Sequence, residues 1–177
     1  MTHGDIKPQN VLVFKDPSGT IFAKLADFGY SGWDVDGSQK VLIKPPRSRP
    51  WDPPEYHHRG FPVMQAKMLD IYSFGMLCMW ILFGDDLCTS MFIDRNNKHA
   101  STTGLHLSVV FSDLSLTDNL KHEGKILTLA HGLVEKGKIS DVQKESLSRF
   151  FDSTLAREPE RRVLDLEKLA SLLSQDW

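Results

Sequence analysis

Apolar and polar positions fall into blocks along the chain, and the period of each block names an element. Residues 11–14 are a short apolar, β-branched run, Asp16-Pro17-Ser18-Gly19 is a turn signal, and a second run covers 20–25, so this stretch predicts a β-hairpin. From Ala26 to Pro54 no period holds, and the segment is rich in Gly, Ser, Asp, Lys and Pro. An irregular stretch of that length inside a compact domain usually has a functional job. Residues 64–83 are apolar on nearly every helical face, the pattern of a helix buried on all sides, and Gly84-Asp85-Asp86 stops it. Residues 85–122 show no strong period and predict loops with short helices. Residues 125–136 and 140–155 both read as helices. The second opens with the capping-box pattern Ser140-x-x-Gln143 and buries Leu147, Phe150, Phe151 and Leu155. A last helix over 164–173 carries Leu166, Leu169, Leu172 and Leu173 on one stripe. The expected fold is mainly α with a small β-hairpin, and no internal repeat is visible.

Length and composition narrow the picture. At 177 residues with 41% hydrophobic content the chain supports one globular domain with a real core. A formal charge of -2, with 21 basic residues spread along the chain, gives no basic surface for nucleic acid or anionic lipid. No nucleic-acid or membrane partner is expected. Two cysteines, Cys78 and Cys88, lie in neither a C-x-x-C pair nor a zinc-like cluster, which fits a reducing, intracellular compartment, cytoplasmic or nuclear. The N-terminus lacks the basic-then-apolar pattern of a signal peptide. The apolar run 71–83 is shorter than the roughly 20 residues of a membrane span and follows Asp70, so it reads as a core helix.

Candidate chemistry begins with His3-Gly4-Asp5-Ile6-Lys7-Pro8-Gln9-Asn10. Phosphoryl transfer needs a carboxylate for the acceptor hydroxyl's proton, a cation near the moving group and an oxygen ligand for Mg²⁺, all converging on one point. This octapeptide holds one of each and resembles the catalytic loop of the eukaryotic-type protein kinases, H-R-D-L-x-x-x-N. The resemblance implies Asp5 as base, Lys7 as cation beside the nucleotide phosphates and Asn10 as metal ligand. Asp27-Phe28-Gly29, at the end of the hairpin's second strand, resembles the D-F-G loop, which makes Asp27 the second Mg²⁺ ligand. A hairpin puts Asn10 and Asp27 at the same end. By the same resemblance Phe28 and His3 pack together beneath the site, and Leu12 floors the adenine ring.

Downstream, Ser48-Arg49-Pro50-Trp51-Asp52-Pro53-Pro54-Glu55 is similar to the end of an activation segment, with Pro53 replacing the Ala of A-P-E. Ser48 then stands where a hydroxyl meets the catalytic Asp and Lys, and Glu55 should pair with an Arg far along the chain. Glu158-Pro159-Glu160-Arg161-Arg162 supplies it, with Arg162 in register. Asp70-Ile71-Tyr72-Ser73-Phe74-Gly75 resembles the start of the family's central helix. A carboxylate in an apolar helix is costly unless bonded, and the family satisfies it with backbone N–H groups of the catalytic loop.

The five motifs, in order, make the chain similar to the C-terminal lobe of a Ser/Thr-type protein kinase: catalytic loop 3–10, magnesium loop 27–29, activation segment 27–55 and helical core 64–175 of one partial domain, 1–177. The implied cofactors are ATP and Mg²⁺, and the implied partners ATP and a protein substrate. Gly4 departs from the usual Arg, which weakens any control by activation-loop phosphorylation. The nucleotide-clamping N-lobe would precede His3, so the expectation is a lobe that lacks it, with apolar surface left open along 64–83. Two functions compete: phosphoryl transfer from MgATP to Ser/Thr of a protein once an N-lobe is joined, or an inactive, kinase-like interaction module or fragment. Intact Asp5, Lys7, Asn10 and Asp27 favour the first.

Overall fold

The computed structural model describes residues 1–33, 42–84, 87–88, 92–93, 100–101 and 105–174, with side chains left undescribed over 85–106. Strands β1 (Val11–Lys15) and β2 (Ile21–Leu25) form the expected antiparallel hairpin, with Val11 opposite Leu25 and Lys15 opposite Ile21. The turn closes through Asp16, whose side chain accepts from the Thr20 amide at 2.9 Å and from the Ser18 hydroxyl at 2.6 Å. That is the way an Asx-type turn satisfies its backbone. Both faces of the hairpin are open: Val13 and Ile21 on one, Leu12, Phe14 and Phe22 on the other.

The irregular stretch predicted from Ala26 onward contains β3 (Leu42–Ile43), which pairs antiparallel with β4 (Phe61–Pro62). Helix α1 (Val63–Phe83) leaves β4 directly. Its buried residues run from Val63 through Ala66, Leu69, Tyr72, Met76 and Met79 to Phe83. Trp80, Ile81 and Leu82 are exposed, so α1 is not buried on all sides. All-round apolarity told how many faces want cover, and in the last turn only Phe83 is buried. α1 is long and apolar enough to cross a membrane by length and composition. Its packing on α2 and α5 is that of a core helix.

Four two-residue strands follow, β5 (Leu87–Cys88), β6 (Phe92–Ile93), β7 (Ala100–Ser101) and β8 (Leu105–His106), with β5 paired to β8 and β6 to β7. The rest is helical: α2 (Leu107–Ser112), α3 (Leu114–His122), α4 (Lys125–Lys136), α5 (Asp141–Thr154) and α6 (Leu166–Ser174). Every described sheet is antiparallel and two-stranded. The molecule is therefore mainly α with small sheets.

Local signals account for the helix ends. Ser140 caps α5 through the predicted capping box, with the Gln143 side chain returning to the Ser140 amide at 2.9 Å. α6 starts two residues later than predicted because Asp165 caps it, accepting from the Lys168 amide at 3.0 Å. Leu169 and Leu172 are buried as the stripe requires, while Leu166, the helix's first residue, stays exposed. The main core joins α1, α2, α4, α5 and α6 around Tyr72, Met76, Met79, Phe150 and Phe151. Gly75 lets α1 and α5 touch: a Cβ there would stand 2.6 Å from the Thr154 hydroxyl.

Candidate active site

The catalytic-loop residues come together at the N-terminal edge of the helical body. Asp5 is buried and its two carboxylate oxygens have different partners. Oδ2 accepts from Lys7 Nζ at 2.6 Å and from Asn10 Nδ2 at 3.1 Å, while Oδ1 accepts from the Ser48 hydroxyl at 2.6 Å. Lys7 Nζ also donates to Ser48 Oγ at 3.3 Å. Three side chains thus meet on one carboxylate. Pro8 opens a 3-10 turn over Pro8–Asn10, where its missing N–H is no loss, and the turn carries Asn10 inward. The Asn10 amide spends its N–H groups on Asp5, one on the carboxylate and one on the backbone oxygen at 2.8 Å. Its own oxygen is left as an acceptor, the form a hard cation needs.

His3 supports this loop from below. Its Nδ1 accepts the Asp5 amide at 3.3 Å and its Nε2 donates to the Ala26 carbonyl at 3.0 Å, an arrangement that requires the neutral Nε2–H tautomer. The Phe28 ring lies 4.9 Å from the imidazole, tilted by 57°. The Ala26 amide donates to the Asn10 carbonyl at 2.9 Å, continuing the hairpin ladder by one rung. Asp27 is the next residue, exposed, with φ of 64°. A non-glycine residue held in left-handed backbone is uncommon, and such positions cluster at functional sites. Leu12 is half exposed on the same β1 face as Phe14, with Lys24 opposite it.

Asp70 accepts from the His3 amide at 2.6 Å, the Gly4 amide at 2.9 Å and the Thr2 hydroxyl at 2.5 Å. The two amides were expected from sequence and Thr2 was not. Burial pushes the Asp70 carboxyl above its ordinary range, and the three hydrogen bonds oppose that push. Gly4 explains its own identity: its φ is +85° and a Cβ would lie 2.6 Å from the Tyr30 carbonyl oxygen. An antiparallel bridge between Thr2 and Gly32 then fastens the segment after the magnesium loop to the catalytic loop.

Glu55 and Arg162 pair bidentately, Nη1 to Oε1 at 2.5 Å and Nη2 to Oε2 at 3.0 Å. The Arg162 side chain is fully buried, and Glu55 keeps 25% exposure. The guanidinium further donates to the backbone oxygens of Ala156, Met68 and Arg157, and it lies over the Tyr72 ring at 4.8 Å.

Sequence reasoning missed a second set of charges, on α3. Arg47 and Arg49 flank Ser48 and both donate to Asp118 Oδ2, at 3.2 and 2.5 Å. Lys121 donates to Asp52 Oδ1 at 3.0 Å, with both side chains buried, and Arg47 Nε reaches Asp52 Oδ2 at 3.3 Å. Burial pulls the Lys121 ammonium below its ordinary range, and Asp52 beside it pulls the other way. A signal did exist. Asp52 sits in a Pro- and Trp-rich segment where a carboxylate requires a partner.

Comparison with known proteins identifies the family to which this arrangement belongs. The protein kinase domain family matches residues 1–177, so the chain belongs to the protein kinase family. It is 34% identical over 105 residues to a serine/threonine-protein kinase/endoribonuclease, IRE1a, of Arabidopsis thaliana, covering 54% of this chain and 12% of that protein. It is 26% identical over 110 residues to a putative leucine-rich repeat receptor-like serine/threonine-protein kinase of the same plant, covering 61% of this chain and 12% of the relative. The chain thus spans about an eighth of the length of these relatives. No solved structure matches it significantly.

Proposed function

We propose that this chain, joined to an N-lobe, transfers a phosphoryl group from MgATP to Ser or Thr of a protein substrate. One observation carries the reading: Lys7, Asn10 and Ser48 converge on the buried Asp5 carboxylate. Oδ2 is occupied by two donors and Oδ1 by the Ser48 hydroxyl, which leaves Oδ1 a lone pair for an incoming hydroxyl. Asp5 would accept that hydroxyl's proton, and Lys7 would stand beside the phosphoryl group as it moves. Asn10 and Asp27 fit Mg²⁺ by the chemistry of their donors, one amide oxygen freed by the Asn10 network and one exposed carboxylate. Mg²⁺ is usually held by one or two such groups together with phosphates and water. Held there by Asn10 and Asp27, the ion would supply neutralisation of the nucleotide's phosphate charge. Lys7 and both named relatives, which are serine/threonine kinases, support Ser/Thr over Tyr.

The test is radiolabelled phosphate transfer by the chain alone and by the chain joined to a matching N-lobe, each beside Asp5→Asn. Transfer is expected only from the joined protein, with a loss of about 10²–10⁴-fold in Asp5→Asn, the usual share of a general base. Equal transfer by the joined protein and its Asp5→Asn form would overturn the assignment.

A further inference from the structure

Ser48 reaches Asp5 only if the segment carrying it is held at the right height, and the hold comes from outside the motifs. Ser48 lies between Arg47 and Arg49, and both guanidiniums converge on a single oxygen, Asp118 Oδ2, on α3. Arg49 Nη2 also donates to the Leu114 carbonyl at 2.9 Å, at the start of the same helix. On the far side of Ser48, Asp52 is tied to Lys121, one turn further along α3. Five charged residues, Arg47, Arg49 and Asp52 with Asp118 and Lys121, thus fix the stretch 47–52 to one face of α3, and the hydroxyl that meets Asp5 lies within it. α3 itself is anchored by Asp113, whose side chain caps it through the Ser115 and Leu116 amides at 3.0 and 2.9 Å.

We propose that Asp118 is a positioning residue for Ser48, acting through Arg47 and Arg49 to set where its hydroxyl stands against Asp5 and Lys7. The inference rests on the phosphotransfer reading for its consequence, and on the Arg47–Asp118–Arg49 geometry for its substance. Two cations on one carboxylate oxygen form a network rather than an isolated pair, with Asp118 mostly buried at 20% exposure and Arg47 and Arg49 partly open to solvent. Removing the carboxylate leaves Arg49 without its ion-pair partner and Arg47 with Asp52 alone, at 3.3 Å. Position 4 carries no side chain, so α3 does here what a guanidinium in the catalytic loop has no atoms to do.

Two readouts separate this role from general stability. Amide hydrogen exchange in the full chain reports the hold directly, because the Trp51 and Asp52 amides donate to the Ser48 carbonyl at 2.8 and 3.1 Å. In Asp118→Asn these two amides should exchange about tenfold faster, while amides of α5 around Phe150 and Phe151 keep their rates, as expected of a local opening. Asp118→Glu should restore them. Should Asp118→Asn not fold, Arg49→Ala decides, since it removes the one nitrogen that bonds both Leu114 and Asp118. Unchanged exchange at Trp51 and Asp52, or an equal rise throughout α5, overturns the proposal. In the N-lobe-joined protein, Asp118→Asn should lower kcat for the protein substrate and leave the KM for ATP unmoved. If the wild-type protein transfers no phosphate, the kinase reading fails alone and hydrogen exchange still decides the role of Asp118.

Discussion

Arg162 and Glu55 are partners in one ion pair, but the structure makes their losses unequal. In Glu55→Ala the guanidinium loses two charge-assisted bonds yet keeps the carbonyls of Ala156, Met68 and Arg157 and the Tyr72 ring. Breaking a buried pair from one side costs about 3–5 kcal/mol when the survivor is stranded, and a survivor this well supplied with acceptors belongs at about 3. In Arg162→Ala three backbone carbonyls lose a donor, at about 1–3 kcal/mol each where they stay dry. A cavity opens under Tyr72 as well, and cavities add to the loss. Glu55, with 25% exposure, turns to water and recovers part of its solvation. Arg162→Ala should therefore cost about 5 kcal/mol or more, enough to unfold a domain of ordinary stability. Glu55→Ala should survive with its melting temperature lowered by roughly 6–12 °C, at the conversion usual for a chain of this length. Urea unfolding followed by tryptophan fluorescence reads the change, since Trp51 sits in the core four residues from Glu55. Equal losses for the two variants, or a Glu55→Ala midpoint indistinguishable from wild type, would refute the reasoning.

Asp70 gives a pH dependence of defined sign. Its folded carboxyl titrates above the ordinary 3.8 because of burial, so between 3.8 and the raised value the folded state keeps a proton that the unfolded state has released. Stability contributed by this group falls as pH rises through that window, and a ¹³C titration of the Asp70 carboxyl with a midpoint at or below 3.8 would contradict the burial argument. Gly4→Ala places a methyl against the Tyr30 carbonyl at +85° in φ, and should destabilise by about 1–2 kcal/mol from the backbone alone, read by thermal unfolding. An unchanged midpoint would mean that the catalytic loop adopts another path.

How much of this was legible in the sequence follows from what each feature depends on. The meeting of Lys7 and Asn10 on Asp5 was readable because the resembled loop has fixed residue types at fixed spacing, and the hairpin puts Asp27 at the same end of the strands as Asn10. Glu55 with Arg162, and Asp70 with the loop amides, were readable because a buried charge must be answered and the motif register names the partner. The α3 charges were not. Asp52 and Lys121 are 69 positions apart, and which Lys meets which Asp depends on where a nine-residue helix lands after a stretch with no period. At α1 the open apolar surface expected along 64–83 is present, whereas burial on all sides is not. Periodicity reports which faces are apolar, whereas cover is a property of neighbours, and Trp80, Ile81 and Leu82 stay exposed although Trp80 meets the Trp51 ring edge-on.

One turn and a half of α1 explains why the motifs hold together. The Met68 carbonyl accepts from Arg162, the Asp70 carboxylate holds Thr2, His3 and Gly4, the Tyr72 ring lies under the Arg162 guanidinium, and the Ser73 hydroxyl donates to the Trp51 carbonyl at 3.0 Å. Residues 68–73 therefore fix the catalytic loop, the end of the activation segment and the turn before α6 from a single rigid support. Site geometry at the ångström level needs side chains whose own positions are locked by packing. Here the lock is a buried helix whose neighbours include Phe150, and it is tight enough to require glycine at position 75, two residues beyond that turn. The polar residues on this helix are thus the cause of the site's shape, and the apolar ones are the reason that shape is fixed.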